Sequence, residues 1–154
     1  MIVMNGVKVT QKKLDHLIDT YGMKVDIDGD GRLSRKELGF IFDAMDKKKK
    51  TVDVLKLGTL IHNYKNRTEE SVCGAFLFRE TYLDNKLSEK SIICRNPETN
   101  QVEYVETNRF NSEGIPTESI IRSRQKGTEI TTYDENGQIK NVIKTDTAIF
   151  DVST

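Results

Sequence analysis

Four acidic side chains recur at a regular spacing in the first third of the chain. Asp26, Asp28 and Asp30 alternate along the sequence, Gly31 follows them, and Glu37 lies further on. Alternation directs three carboxylates toward one point, and the glycine permits the sharp turn that must follow them. Calcium takes roughly six to eight oxygen ligands, whereas three carboxylates without a cation repel one another. The spacing therefore predicts a calcium site within residues 26–37.

The segment from Asp26 to Glu37 resembles the calcium-binding loop of EF-hand proteins. It matches the pattern D-x-[DN]-x-[DN]-G-x5-E at every defined position. The resemblance implies that Arg32 binds through its backbone carbonyl, that Ser34 binds directly or through water, and that Leu33 faces the core. It implies two carboxylate oxygens from Glu37, with magnesium as a competing ion. The ligands that it implies are Asp26, Asp28, Asp30, Arg32, Ser34 and Glu37.

The chain departs from the family in two respects. One intact loop occurs, although EF-hands usually work in pairs, and of the four methionines only Met23 and Met45 lie near it. The methionine-rich target groove of a calmodulin-like sensor is therefore not indicated. These departures favour calcium as a structural brace or a weak local switch.

Amphipathic patterns predict a helix on each side of the loop and a third helix after it. Thr10, Ser34 and Asp53 are the expected N-caps, and Glu37 would complete a capping box with Ser34. Gly22 is expected to end or loosen the first helix. The predicted inward positions are Leu14, Leu17, Ile18 and Tyr21, then Leu38, Ile41, Phe42 and Met45, then Leu57, Leu60, Ile61 and Tyr64.

The second and third helices share a short pattern. Residues 38–42 align with residues 57–61 at a constant offset of 19, which predicts a half-preserved second copy of the loop-and-helix unit. Leu33 and Val52 are the candidates for a β-bridge between the two loops. Lys47–Lys50 stand where acidic ligands would be needed, so the copy is not expected to bind a metal. We interpret these lysines as a solvated turn, with a patch for an acidic partner or lipid as the alternative.

From about Thr68 the sequence favours strands. Short runs rich in Ile, Val, Thr, Tyr and Phe alternate with turn signals. Hairpin turns are predicted at Asn96–Asn100 and at Asp134–Gly137, the latter from its Asn-Gly dipeptide. The apolar run Ser71–Phe78 reads as a strand or as the start of a buried helix.

A weak repeat runs through this half of the chain. An aromatic residue, a polar turn and an apolar strand recur three times, with Tyr82, Phe110 and Tyr133 as the aromatic residues. The pattern, over residues 76–145, resembles the YD-type (Rhs-like) and variant MORN repeats of bacterial proteins, which are built from successive β-hairpins. A plain antiparallel meander is the other interpretation.

The expected fold is α+β, with an EF-hand-like helical domain at 1–67 and an antiparallel β-repeat domain at 68–154. The formal charge is about +5 in the first domain and about −5 in the second, from 14 against 9 and 10 against 15 basic and acidic residues. Four lysines without aromatic neighbours, followed by an acidic half, argue against nucleic acid as the partner. No apolar run is long enough to span a membrane.

The remaining reactive side chains give no catalytic signal. Cys73 and Cys94 lie among apolar residues, so we favour buried thiols over one disulfide across neighbouring strands. His16 and His62 lie on predicted helices and are interpreted as surface or boundary residues. The chain is not expected to be an enzyme.

The sequence thus predicts a calcium-stabilised interaction or structural module whose partner is another protein. A calcium-responsive regulator and a part of a secreted effector, toxin or enzyme are the alternatives. The segment Met1–Gly6 is too short and polar for a signal peptide, and the interpretation leaves the cytoplasm and export both open.

Overall fold

A computed structural model of the protein describes residues 1–150. The chain divides into two compact units, Met1–Asn66 and a second unit that begins at Arg67. Within the described residues the fold is α+β, with three helices in the first unit and a seven-stranded antiparallel sheet in the second.

The first unit opens with a β-hairpin. Strands β1 (Ile2–Met4) and β2 (Val7–Val9) pair antiparallel through the two-residue turn Asn5-Gly6, in which both φ angles are positive. Asn-Gly is a preferred dipeptide for such a turn because both residues tolerate this backbone conformation. Val7 and Val9 are buried and join the core of the helical unit, so the hairpin supplies part of the surface against which the helices fold.

Three helices follow, and each begins at its predicted cap. They are α1 (Gln11–Val25), α2 (Arg35–Asp43) and α3 (Val54–Lys65). The side chains of Thr10, Ser34 and Asp53 accept backbone N–H groups of the first turns, which satisfies donors that a helix start leaves free. The predicted capping box between Ser34 and Glu37 is present.

The core of the first unit contains the predicted apolar faces. Leu17, Ile41 and Leu57 come from the three helices and are each at most 2% exposed. Gly22 does not end α1: the helix continues to Val25, and the Gly22 carbonyl accepts the N–H of Asp26 at its end. Gly22 is buried, so we attribute the small residue to close packing, since a β-carbon there would touch the Leu33 side chain.

The bridge between α2 and α3 differs from the predicted one. Val52 pairs with Met45 rather than with Leu33, because the lysine turn is tight and local. The Asp46 side chain accepts the N–H groups of Lys48 and Lys49, and the turn returns the chain so that the N–H of Asp46 meets the carbonyl of Thr51 at 2.9 Å. Lys47–Lys50 are exposed, as expected of a solvated turn.

The second unit is a sequential meander in which every strand pairs with its neighbours in the chain. Its strands are β3 (Thr68–Cys73), β4 (Phe76–Leu83), β5 (Lys86–Arg95), β6 (Val102–Phe110), β7 (Pro116–Ser123), β8 (Gly127–Tyr133) and β9 (Ile139–Thr145). The run Ser71–Phe78 is neither one strand nor a helix start, because a turn at Gly74, with positive φ, divides it between β3 and β4. Both predicted hairpin turns, at 96–100 and 134–137, lie between strands.

The three aromatic residues of the predicted repeat occupy equivalent places. Tyr82, Phe110 and Tyr133 lie in the last two positions of β4, β6 and β8, and the ladder shifts register at each of them. Such a bulge bends the strand and increases its twist just before the turn. The sequence repeat therefore corresponds to a structural unit of one bulged hairpin.

The buried cluster of the sheet is small. Ile93, Val102 and Val105 form it, with Leu77 and Phe150 packed against them. After β9 the chain turns back, and the carbonyl of Thr147 accepts hydrogen bonds from two threonine hydroxyls of β8 and β9. Phe150 then covers the cluster.

The cysteine prediction is confirmed for the free thiols and is wrong for the burial of Cys73. Cys73 and Cys94 are both free thiols, and Cys73 is exposed. They stand on β3 and β5, on either side of Phe76 in the same cross-strand row. Two strand spacings of about 4.8 Å separate them, which exceeds the reach of a disulfide.

Candidate metal centre

The acidic loop joins the end of α1 to the start of α2. Asp26 is the C-cap of α1, and Glu37 lies in the first turn of α2. Gly29 and Gly31 have positive φ angles of 69° and 77°, which let the chain turn sharply between the aspartates. The packing of Ile27 and Leu33 against the core anchors the loop at both ends, and for Leu33 confirms the predicted orientation.

Four carboxylates converge in this loop. Asp26, Asp28, Asp30 and Glu37 each offer one oxygen, and these four atoms all lie within 4.8 Å of one another. Such a group of acidic side chains after a helix could hold a metal ion. It is compatible with an EF-hand-like loop, and it is the one group of three or more potential metal ligands in the part of the chain that the structure describes.

Backbone donors fix one oxygen of each aspartate. Asp26 Oδ2 accepts the N–H of Gly31 at 3.0 Å, and Asp28 Oδ1 accepts the N–H of Asp30 at 3.2 Å. Asp30 Oδ1 accepts the N–H of Arg32 at 2.8 Å. These bonds orient the three carboxyl groups through the loop's own backbone.

The second oxygen of Asp26 is different. Oδ1 is buried and has no hydrogen-bond partner in the described structure. A buried carboxylate oxygen without a partner is costly, because it has lost its water and gained no donor. Because it lies among three other carboxylates, a cation is a suitable partner for this oxygen. The side chains of the loop therefore fit a hard metal ion.

Glu37 closes the loop from the opposite side. It is only 6% exposed, and both of its oxygens accept backbone hydrogen bonds. Oε1 accepts the N–H of Ser34 at 2.8 Å and Oε2 accepts the N–H of Ile27 at 2.7 Å. The carboxylate is thereby held rigidly at the edge of the acidic group.

The pKa values of two of these aspartates are shifted in opposite directions. The pKa of Asp28 is raised: the N–H of Asp30 is the largest influence and lowers it, but desolvation and the carboxylates of Asp26 and Asp30 together outweigh that bond. The pKa of Asp30 is lowered, chiefly because the N–H of Arg32 donates to it. Opposite shifts in neighbouring acids are typical of carboxylates that compete for one proton.

The other two predicted ligands lie in the same loop. Arg32 is exposed, and the hydroxyl of Ser34 caps α2 by accepting the N–H of Glu37 at 3.1 Å. Their roles as ligands stay predictions. The turn at residues 46–51 carries four lysines, and the carboxylate of its acidic residue, Asp46, accepts the N–H groups of Lys48 and Lys49.

Sequence reasoning missed one side chain that fastens the N-terminal hairpin to α2, the helix that carries Glu37. Nδ2 of Asn5 donates to the carbonyl of Gly39 at 3.2 Å and to Asp43 Oδ1 at 2.9 Å, so the N-terminal hairpin is fastened to α2. The Asn5-Gly6 dipeptide carried the signal for this hairpin.

The histidines are not gathered with the acidic loop. His16 and His62 are exposed residues of α1 and α3, and Nδ1 of His62 lies 3.4 Å from Nδ2 of Asn66. The absence of catalytic activity stays a prediction.

Comparison of the chain with protein-family models, with curated proteins and with solved structures gives no match in any of the three. The helices described within residues 1–150 include none that is both long and apolar enough to cross a membrane.

Proposed function

We propose that the loop from Asp26 to Glu37 binds one calcium ion, and that calcium stabilises the helical unit of an interaction module. The observation that carries this proposal is Asp26 Oδ1, a buried oxygen without a donor inside a group of four carboxylates. The proposed ligands are the side chains of Asp26, Asp28, Asp30, Ser34 and Glu37 and the backbone carbonyl of Arg32.

The donor chemistry favours calcium over other metals. All proposed ligands are oxygens, which excludes the thiolate and imidazole set that zinc prefers. Calcium accepts a flexible shell of roughly six to eight oxygens, whereas magnesium requires near-ideal octahedral geometry and usually retains several waters. A loop with four carboxylates and a rigidly held glutamate suits the larger ion.

The position of the loop supports a bracing role. A carboxylate at a helix C-terminus is electrostatically unfavourable, and Asp26 caps the C-terminus of α1. A cation there would offset the charge of the helix end and the repulsion among the aspartates. Calcium would also link Asp26 to Glu37, and so the C-cap of one helix to the first turn of the next.

The test compares metal-stripped protein with calcium-loaded protein in thermal unfolding followed by circular dichroism. We expect calcium to raise the melting temperature of the wild type, since a ligand that binds only the native state stabilises it. The test variant is Asp26→Asn, whose melting temperature calcium should raise much less than that of the wild type. Equal calcium stabilisation of wild type and Asp26→Asn would overturn the proposal.

The same samples distinguish a brace from a calcium-responsive regulator. A regulator would expose apolar surface on binding, as sensor EF-hands do, and would increase the fluorescence of a dye that binds such surface. A brace predicts stabilisation without a dye response.

A further inference from the structure

The sheet of the second unit has two open edges. Within residues 1–150, β3 and β9 each pair with a single neighbour, and every residue of both strands is exposed. Neither strand contains proline. An outer strand of this kind presents unpaired backbone N–H and carbonyl groups that can accept another strand.

The two edges carry opposite charge. Strand β3 has Glu69 and Glu70, whereas β9 has Lys140 and Lys144 and no acidic residue. Like charges opposite each other destabilise a strand pair, and unlike charges stabilise it. Pairing β3 with β3, or β9 with β9, would bring like charges together, whereas pairing β3 with β9 joins complementary edges.

We propose that β9 of one copy of this chain pairs with β3 of a second copy, so that the two sheets become continuous. The partner is therefore a second copy, recognised by strand addition and charge. Because the meander contains seven strands, β3 and β9 run in the same direction. Copies in the same orientation pair β9 parallel to β3, with corresponding faces of the two sheets on the same side.

One register joins an apolar pair and one pair of opposite charges. Val72 is 73% exposed and Ile143 is 50% exposed, and cross-strand registers assign both to the face that contains Ile93. Parallel pairing with Ile143 beside Val72 brings Lys140 beside Glu69. The apolar contact and this pair of opposite charges therefore form in the same strand register.

Val72 also borders an apolar pocket in its own sheet. The pocket has a volume of about 350 Å³, and Phe76, Leu77 and Ile93 line it with Val72. Phe150 packs against the buried cluster to which Ile93 belongs, so part of this apolar surface is already covered from within the chain. A strand added at β3 would extend the cover outward over Val72.

Edge lysines often protect a sheet against association, and those of β9 oppose pairing between two β9 strands. Strand β3 lacks that protection, since it has neither lysine nor proline. Each of its acidic residues pairs with an arginine, one just before β3 and one on β4, with Arg67 Nε 2.6 Å from Glu69 and Arg79 Nε 2.8 Å from Glu70. The edge is thus ordered rather than repellent.

The first experiment measures the association state of the full chain by sedimentation equilibrium over a range of concentrations. A head-to-tail contact does not close on itself, so we expect the average mass to rise steadily with concentration. Lys140→Glu/Lys144→Glu should weaken association at least tenfold. A chain that stays monomeric at every concentration overturns the proposal.

The matched control reverses two lysines on an inner strand. Lys86→Glu/Lys90→Glu alters β5, where both lysines are exposed, and should associate as the wild type does. Equal weakening in the control and in the β9 variant would assign the effect to net charge and would overturn edge pairing.

Charge exchange tests the partner edge. Glu69→Lys/Glu70→Lys should also be monomeric alone, and mixing it with Lys140→Glu/Lys144→Glu should restore association, because each interface then pairs opposite charges. Loss of association in the mixture contradicts the proposal, provided that both variants retain the wild-type circular dichroism.

Disulfide trapping gives an answer even if the β3 variant does not fold. In a Cys73→Ser/Cys94→Ser background, Val72→Cys and Ile143→Cys should cross-link when mixed and oxidised. The control is Val142→Cys, which alternates to the other face of β9 and should cross-link less. Equal yields from the two β9 cysteines would overturn the register.

Discussion

Oε2 of Glu37 accepts a hydrogen bond from the backbone N–H of Ile27 at 2.7 Å, which ties the first turn of α2 to the residue that follows the C-cap of α1. The other oxygen of Glu37 accepts the N–H of Ser34. The glutamate therefore closes the acidic loop through two backbone hydrogen bonds, and its two roles, as hydrogen-bond acceptor and as proposed calcium ligand, can be separated by mutation.

Glu37→Gln should affect both roles. An amide group cannot accept both backbone N–H groups through oxygen, so we expect a loss of about 1–3 kcal/mol of stability in metal-free protein. The variant should also bind calcium much more weakly than the wild type does, because a charged ligand is lost. Urea unfolding with and without calcium measures both effects, and retention of full calcium stabilisation by this variant would contradict the assignment of Glu37.

Asp26→Asn should lower calcium affinity while it leaves the stability of the metal-free protein nearly unchanged. The substitution removes one charge from a repelling group, and the new amide can donate to a neighbouring carboxylate. We therefore expect metal-free stability to stay within about 1 kcal/mol of the wild type, with a loss of calcium binding of at least tenfold. Asp19→Asn, on the exposed side of α1, is the control and should leave both quantities unchanged. A marked loss of metal-free stability would mean that Asp26 acts structurally.

Gly127→Ala tests the return of the chain after β9. Gly127 has a φ of 86°, and a β-carbon there would overlap the carbonyl oxygen of Thr145. We expect a loss of about 1–3 kcal/mol from overpacking, added to a left-handed backbone penalty of about 1–2 kcal/mol. Gly74→Ala is the control, because it has a φ of 60° and open space around the site. Urea unfolding should separate the two variants, and equal losses would contradict the close approach.

The Tyr82 hydroxyl gives a pH-dependent prediction. It donates to Glu80 Oε2 at 2.7 Å, and this bond is the largest of the influences that raise the pKa of Tyr82 above its ordinary value. The native state thus holds the phenolic proton more tightly than the unfolded chain does. The stabilisation is complete below about pH 10 and is lost as the pH rises through the raised pKa.

The comparison that isolates this effect is wild type against Tyr82→Phe, with urea unfolding measured from neutral to strongly alkaline pH. The two proteins share every other ionisable group, so the difference between their free energies of unfolding reports Tyr82. We expect the advantage of the wild type to be constant near neutrality and to decrease above pH 10. A constant difference across the whole range would exclude the Glu80 bond as its cause.

Local patterns predicted the elements that local physics determines. The caps at Thr10, Ser34 and Asp53 were predictable because each satisfies N–H groups only a few residues away. The turns at 96–100 and 134–137 were predictable for a similar reason, since Asn96 and Asp134 accept nearby backbone donors through their side chains.

Contacts distant in sequence were harder to predict. The burial of Val7 and Val9 depends on the attachment of Asn5 to α2, more than thirty residues away. The exposure of Cys73 follows from its position on an outer strand, which the order of strands decides. Pairing of Val52 with Met45 instead of Leu33 reflects the tight lysine turn. For the metal centre, sequence spacing indicated the four carboxylates, whereas the orphaned oxygen of Asp26 became visible only in three dimensions.

The measurement that tests the central claim most directly is calorimetric titration of metal-stripped protein with calcium, with magnesium titrated in parallel. We expect one calcium ion per chain for the wild type, weaker magnesium binding, and no calcium binding to a variant that combines Asp26→Asn with Glu37→Gln. Absence of calcium binding to folded wild-type protein, or unchanged binding to the double variant, would contradict the assignment of residues 26–37 as a calcium site.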